Sequence, residues 1–297
     1  MANVGDHEHR VLTSDGRARL FVRDIGVGDA ILVVHGGPDF DQSYLSPELD
    51  RLRDIFRLVY YDQRGRGRSA QGVSAADVTI ESEISDLDTV GRSLGLDRFV
   101  LLGHSWGGVI AMAYAVSHPR HVSALVLMNC APPSAEGAEL FASSVSADRT
   151  EEQKVALAAL RERPDFRAGE VDADAEYYRL HFAGALRSID AVDSLVARLR
   201  VNVAADGIAL ARAIEERLYD ETWRSPDFDL LPSLRGLRCP TLVIHGDRDF
   251  VPEHIARTIA EAIPGAQLEV YGDCGHFAFI EHFERFQRSL IDFLVHD

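Results

Sequence analysis

The chain has 297 residues and 46% hydrophobic residues, enough for one large domain or two modest ones with a sizeable core, and too apolar for a disordered chain. The formal net charge of −16, from 31 Lys and Arg against 47 Asp and Glu, disfavours electrostatic binding of nucleic acid or an anionic membrane. Three cysteines far apart, Cys130, Cys239 and Cys274, fit neither a disulfide framework nor a zinc ribbon. The polar start, Met1 to Arg10, and the absence of any apolar run near ~20 residues make a soluble cytoplasmic protein the expectation.

Short apolar runs alternate with helical patterns along the chain. An antiparallel hairpin is expected at His9–Thr13 and Arg19–Arg23, turning at Ser14-Asp15-Gly16. Ala30–Val34 then runs into His35-Gly36-Gly37-Pro38, and Phe56–Tyr61 into Asp62-Gln63-Arg64-Gly65. Phe99–Leu102 ends at Gly103-His104-Ser105, and Ala124–Met128 at Asn129. Thr241–Ile244 ends at His245-Gly246-Asp247, and Leu268–Tyr271 at Gly272-Asp273. Near-continuous apolar runs of this length are strands buried on both faces, as in a parallel sheet.

Helices are expected between them. Ile80, Ile84, Leu87, Val90 and Leu94 have helical spacing, and Val109–Val116, Pro252–Ile263 and Phe283–Val295 are similar. Strand and helix in alternation predict an α/β fold with right-handed crossovers. The rhythm breaks from Ser134 to Leu231, where no strand run occurs and helical spacing prevails, as at Ile208, Ala211, Ile214 and Leu218. The expected organisation is a core of residues 1–133 and 232–297 with a helical cap, 134–231, inserted between two strands. Ser134–Thr150 reads as an exposed connector.

Gly103-His104-Ser105-Trp106-Gly107 matches G-x-S-x-G between a strand and a helix, the setting of a nucleophile elbow. A nucleophilic serine needs a base and a residue to orient that base. A carboxylate is available after the next-to-last strand, where Asp247 and Asp249 compete, and Gly275-His276 follows the last strand. The carboxyl ends of strands in an open α/β sheet converge on one edge, so these distant residues are expected to meet. Asp273 reads as a turn residue, and His104 points away from its neighbour on the elbow. Backbone N–H groups stabilise a tetrahedral oxyanion; one is expected from Trp106 and one from the loop at His35-Gly36-Gly37-Pro38. Asp62 to Ser69 reads D-Q-R-G-R-G-R-S. Such a basic glycine-rich loop raises phosphate binding, but it lacks the G-K-S/T of a P-loop, and an ordering role is favoured.

These motifs resemble the α/β-hydrolase fold, and within it the proline iminopeptidase branch, the S33 serine peptidases. The resemblance rests on H-G-G-P at His35, D-Q-R-G-x-G-x-S at Asp62 and G-x-S-W-G at Gly103, and covers both ends of the chain. It implies a mostly parallel sheet flanked by helices, with an inserted helical cap. It selects Asp249, in the family's G-x-x-D pattern, over Asp247, and Gly37 as the loop donor of the oxyanion hole. The implied triad is Ser105, Asp249 and His276, working without metal or cofactor. The implied activity is release of an N-terminal residue from short peptides; an esterase, lactonase or amidase for a small metabolite is the alternative. Iminopeptidase caps bind the substrate's α-amino group with carboxylates. Glu215, in Ile214-Glu215, is the positional counterpart here. The family's loop commonly reads H-G-G-P-G, and Asp39 stands where the last glycine would be. It puts a negative charge at the site mouth and is the second candidate for the amine. The motifs leave the oligomeric state open.

Overall fold

A computed structural model describes residues 6–186, 188–203 and 207–295. Its strands are β1 (His7–Leu12), β2 (Arg19–Gly26), β3 (Ala30–Val34), β4 (Arg57–Tyr61), β5 (Phe99–His104), β6 (Val122–Met128), β7 (Thr241–Gly246) and β8 (Gln267–Tyr271). They form one sheet in the order β1-β2-β4-β3-β5-β6-β7-β8. β1 and β2 pair antiparallel, as expected for the hairpin, and β2 joins β4 antiparallel. From β4 to β8 every pairing is parallel.

The continuous apolar runs are explained by burial on both faces. Leu32 and Val34 pack into the core on one side of the sheet, Ile31 and Val33 into the core on the other, the two-residue alternation of a pleated strand. The helices that cover these faces are α1 (Ile80–Ser93), α2 (Trp106–Ser117), α9 (Leu231–Leu234), α10 (Glu253–Ala262), α11 (Ala278–Glu281) and α12 (Phe283–Leu294). Between β6 and β7 lie α3 (Ala135–Asp148), α4 (Glu151–Glu162), α5 (Pro164–Ala168), α6 (Val171–His181), α7 (Ile189–Leu199) and α8 (Gly207–Glu221).

One expectation is corrected. Ser134–Thr150 is not a connector: Ser134 accepts a hydrogen bond from Gly137 N and caps α3. The serine- and alanine-rich stretch lacks a strong apolar stripe, so its helicity comes from the cap and from packing of Ala135 and Ala138.

The loop at Asp62 is occupied by its own structure. Arg64 makes paired hydrogen bonds of 2.8 and 2.7 Å to Asp86 of α1, and Arg66 meets Glu83 at 2.7 Å with both side chains fully buried. Asp62 accepts from the Arg68 N–H at 2.8 Å. Arg64 and Arg66 face carboxylates of α1 and tie that helix to the loop, while Arg68 faces Asp62 and Glu8. Among the described residues no helix is long and apolar enough to cross a membrane, and no group of three or more His, Cys, Asp or Glu is arranged to hold a metal ion.

Candidate active site

β3, β5, β6, β7 and β8 are successive neighbours, and the residue runs that leave their carboxyl ends form the site. Ser105 leaves β5 with φ 53° and ψ −120°, a conformation that a non-glycine residue holds only when its surroundings enforce it. The enforcement is visible. Ser105 N donates to Met128 O at 3.0 Å, and Ser105 O accepts from Gly108 N at 2.9 Å and Ala131 N at 3.1 Å. Gly107 has to be glycine, because a Cβ there would collide with the carbonyls of Val34 and His35.

The loop after β3 lies against the elbow. A Cβ on Gly36 would be 3.0 Å from Ser105 Cβ, and Gly37 has φ +125°. Trp106 opens α2, so its N–H belongs to the first turn, where no intrahelical partner exists. Its indole packs edge-on against Trp223 at 5.3 Å and Tyr219 at 5.9 Å, which fixes the elbow to the region of α8.

His276 Nδ1 lies 2.8 Å from Asp249 Oδ1, with both side chains buried. An ionised carboxylate only accepts, so Nδ1 carries the proton and Nε2 presents a lone pair. Burial opposes ionisation of Asp249, but the nearby His276 and His245, with hydrogen bonds from His276 and Asn129, hold its carboxyl below the ordinary range. Asp249 also accepts from Val251 N at 2.8 Å and from Asn129 Nδ2 at 2.8 Å. Asp247 is exposed and accepts from Cys274 N at 3.1 Å, away from His276. Asp273 has φ 57° in the turn after β8.

His104 is a structural link. Gly36 N donates to Tyr44 Oη at 2.7 Å, Tyr44 donates to His104 Nδ1 at 2.7 Å, and His104 Nε2 donates to His276 O at 3.0 Å. Burial and the nearby His276 push the His104 pKa down to about 3, so this relay between the glycine loop and the backbone of His276 stays neutral.

Ser105, His276 and Gly37 line a cavity of about 610 Å³ beneath α3–α8, in the size range of small-ligand sites. Its walls are mostly aromatic, with Phe40, Phe141, Tyr178, Phe182, Trp223 and Phe250 among them. Glu215 of α8 also lines it, and accepts from Tyr219 Oη at 2.9 Å. Burial first, and the charge of Asp39 second, push its pKa up to about 8.

Asp39 does not sit free at the mouth. It is 7% exposed, its carboxylate accepts from Tyr178 Oη, and Arg200 stands 3.7 Å away. Arg200 and Arg212 in turn clamp the buried Asp174 of α6. Burial raises the Asp39 carboxyl above its ordinary range, against the pull of Arg200 and Tyr178. Its side chain is a tie between the glycine loop and α6.

Sequence reasoning missed Asn129, Tyr44 and Tyr178. For Asn129 there was a signal, since it ends a core strand as Ser105 does. For Tyr44 and Tyr178 there was none, because their partners are distant in the chain.

The profile of the alpha/beta hydrolase fold family matches residues 29–283. The chain belongs to this family and is a hydrolase. It is 28% identical over 277 residues to a proline iminopeptidase of Neisseria meningitidis serogroup B, covering 85% of this chain and 84% of that one. It is 25% identical over 271 residues to a proline iminopeptidase of Lactobacillus delbrueckii subsp. lactis, covering 89% and 90%. Among solved structures it is similar to an esterase from Exiguobacterium antarcticum, at 26% identity and a TM-score of 0.70, covering 96% and 98%.

Proposed function

We propose that this hydrolase is a serine aminopeptidase of the proline iminopeptidase type, releasing an N-terminal residue from short peptides. Residues 1–133 and 232–297 act as the catalytic core and 134–231 as a helical cap. Ser105 Oγ attacks the carbonyl of the first residue, and His276 Nε2 takes its proton. Asp249 holds the imidazole in the required tautomer and stabilises imidazolium. The oxyanion is received by the N–H groups of Gly37 and Trp106, with the N-terminus of α2 adding a favourable dipole. His276 then protonates the leaving amine, and water releases the acyl group by the same steps in reverse.

The observation that carries the aminopeptidase reading is Glu215. It is a carboxylate over the same cavity as Ser105, held by Tyr219 and without a described cationic partner in hydrogen-bonding or ion-pairing reach. Alone in the cavity the group holds its proton; a substrate α-ammonium draws it to the carboxylate form and pairs with it, and the iminopeptidase relatives support the assignment. Hydrolysis of an ester, lactone or amide of a small metabolite is the second reading, supported by the similarity to an esterase.

The test compares kcat/KM for a prolyl arylamide, its N-acetyl derivative and a short acyl ester. The wild type is expected to prefer the free amine. Glu215→Gln is expected to lower kcat/KM for the free amine about 10- to 150-fold, the worth of one charge-assisted hydrogen bond, and to act weakly on the other two. Preference of the wild type for the blocked or amine-free substrate overturns the aminopeptidase reading in favour of the second.

A further inference from the structure

The cavity has a cationic corner that the roles assigned to Ser105, His276 and Glu215 do not use. His276 protonates the leaving group, so the departing residue lies on the His276 side of Ser105. Phe250 packs tilted against His276 with ring centroids 4.3 Å apart, and His181 of α6 meets Phe250 edge-on at 5.8 Å. Beyond His181 stands Arg149, whose guanidinium is 3.0 Å from His181 Nδ1. Tyr177 stacks on His181 at 5.7 Å, and Arg161 of α4 donates to Tyr177 Oη at 2.8 Å.

The donor arithmetic of this corner is one-sided. Arginine only donates, so His181 Nδ1 is an acceptor and Nε2 carries the proton. Burial first, then Arg149 and Arg161, push the His181 pKa down to about 3, so the ring stays neutral in that tautomer. Tyr177 accepts from Arg161, which leaves its own O–H to donate. His181, Tyr177 and Arg161 all line the cavity. Among the described residues, neither Arg149 nor Arg161 has a carboxylate within 4.0 Å, whereas Arg200 and Arg212 are neutralised by Asp174 and Arg224 by Glu216 and Asp220. In a chain of net charge −16, two guanidinium groups without a carboxylate in reach, beside the ring N–H of His181 and the O–H of Tyr177 on the same cavity wall, mark an anion site.

We propose that His181, Tyr177 and Arg161, backed by Arg149, form a leaving-group subsite for a carboxylate. Resting on the aminopeptidase reading, this names the substrate class: unblocked dipeptides. Glu215 takes the α-ammonium, and this corner takes the α-carboxylate of the departing residue. The cavity then selects for length, because a longer peptide puts an amide where the carboxylate belongs.

The experiment uses matched leaving groups. Prolyl anilides of 3-aminobenzoate and 3-aminobenzamide form one series, and acetate esters of 3-hydroxybenzoate and 3-hydroxybenzamide the other. In whichever series is turned over, the wild type is expected to favour the carboxylate by about 10- to 150-fold in kcat/KM. Arg149→Gln and, separately, Arg161→Gln are expected to shrink that ratio towards one, mainly by loss on the carboxylate member. Thermal melting checks that each variant is folded, and either variant suffices. Equal kcat/KM for carboxylate and carboxamide in the wild type overturns the subsite. Turnover of the esters alone overturns the aminopeptidase reading while still testing the subsite. Calorimetric binding of 3-aminobenzoate against 3-aminobenzamide reads it without turnover: tighter binding of the carboxylate, lost in Arg149→Gln, is expected, and equal binding overturns it.

Discussion

Asn129 donates its side-chain amide to Asp249 Oδ2 at 2.8 Å, across 120 residues of sequence. The same nitrogen reaches Gly275 O at 3.1 Å, so one side chain at the end of β6 holds the loops after β7 and β8 in register. Asn129 has φ 48°, a backbone state that asparagine tolerates better than most residues. It leaves Oδ1 of Asp249 to His276 and Val251.

Asn129→Gly keeps that φ without strain and removes only the amide. It is expected to lower kcat by about 10- to 150-fold, the range of one hydrogen bond to a charged group, with KM changed much less. Steady-state kinetics on a correctly folded variant check this. A wild-type kcat would mean that Val251 N and His276 alone suffice to hold Asp249.

Asp249→Asn presents His276 with an amide and favours the wrong imidazole tautomer. The expected loss in kcat is about 10⁴-fold, as for the corresponding change in an unrelated serine protease. Asp247→Asn is expected to cost far less, because Asp247 is exposed and its contact is Cys274 N. Kinetics of the two variants side by side decide it, and a reversed order of losses would contradict the assignment.

Glu215 makes stability depend on pH in a stated direction. Its pKa rises from an ordinary 4.5 to about 8 on folding, so the folded chain holds a proton that the unfolded chain releases. Its contribution is fully favourable below about 4.5 and is lost as pH rises towards 8. Glu215→Gln removes this dependence. The melting temperature of the variant relative to wild type is therefore expected to rise between pH 5 and 8 and then level. A difference that stays flat with pH would contradict the buried, proton-holding state of Glu215.

Asp39→Asn, whose Oδ1 can still accept from Tyr178, is expected to keep the melting temperature at neutral pH at or above that of the wild type, because burial disfavours the ionised carboxyl more than Arg200 favours it. The preference for a free over an acetylated amine is expected to stay within about twofold. Collapse of that preference at unchanged melting temperature would make Asp39, not Glu215, the ammonium partner.

The sheet was legible because strands buried on both faces leave unbroken apolar runs, and each run stops where the chain must turn. Ser105 stands directly after β5, Asp249 three residues beyond β7 and His276 five beyond β8, so their meeting at one edge follows from parallel strand order. Glycines added information where a Cβ has no room, as at Gly107. The region from α3 to α8 was legible only as helical. Its pairings, Tyr178 with Asp39 and Arg149 with His181, join residues from different elements and leave no periodic trace. Asp39 shows the limit most clearly: its charge was visible, but its neutralisation by Arg200 depends on how α6 and α7 pack over the glycine loop.

The most direct test of Ser105 as nucleophile is mass spectrometry of the protein after treatment with a serine-reactive fluorophosphonate. One adduct per chain is expected, mapped to Ser105, with parallel loss of hydrolysis and no adduct in Ser105→Ala. Full turnover by a folded Ser105→Ala protein, or labelling at another residue with activity lost, would contradict the account.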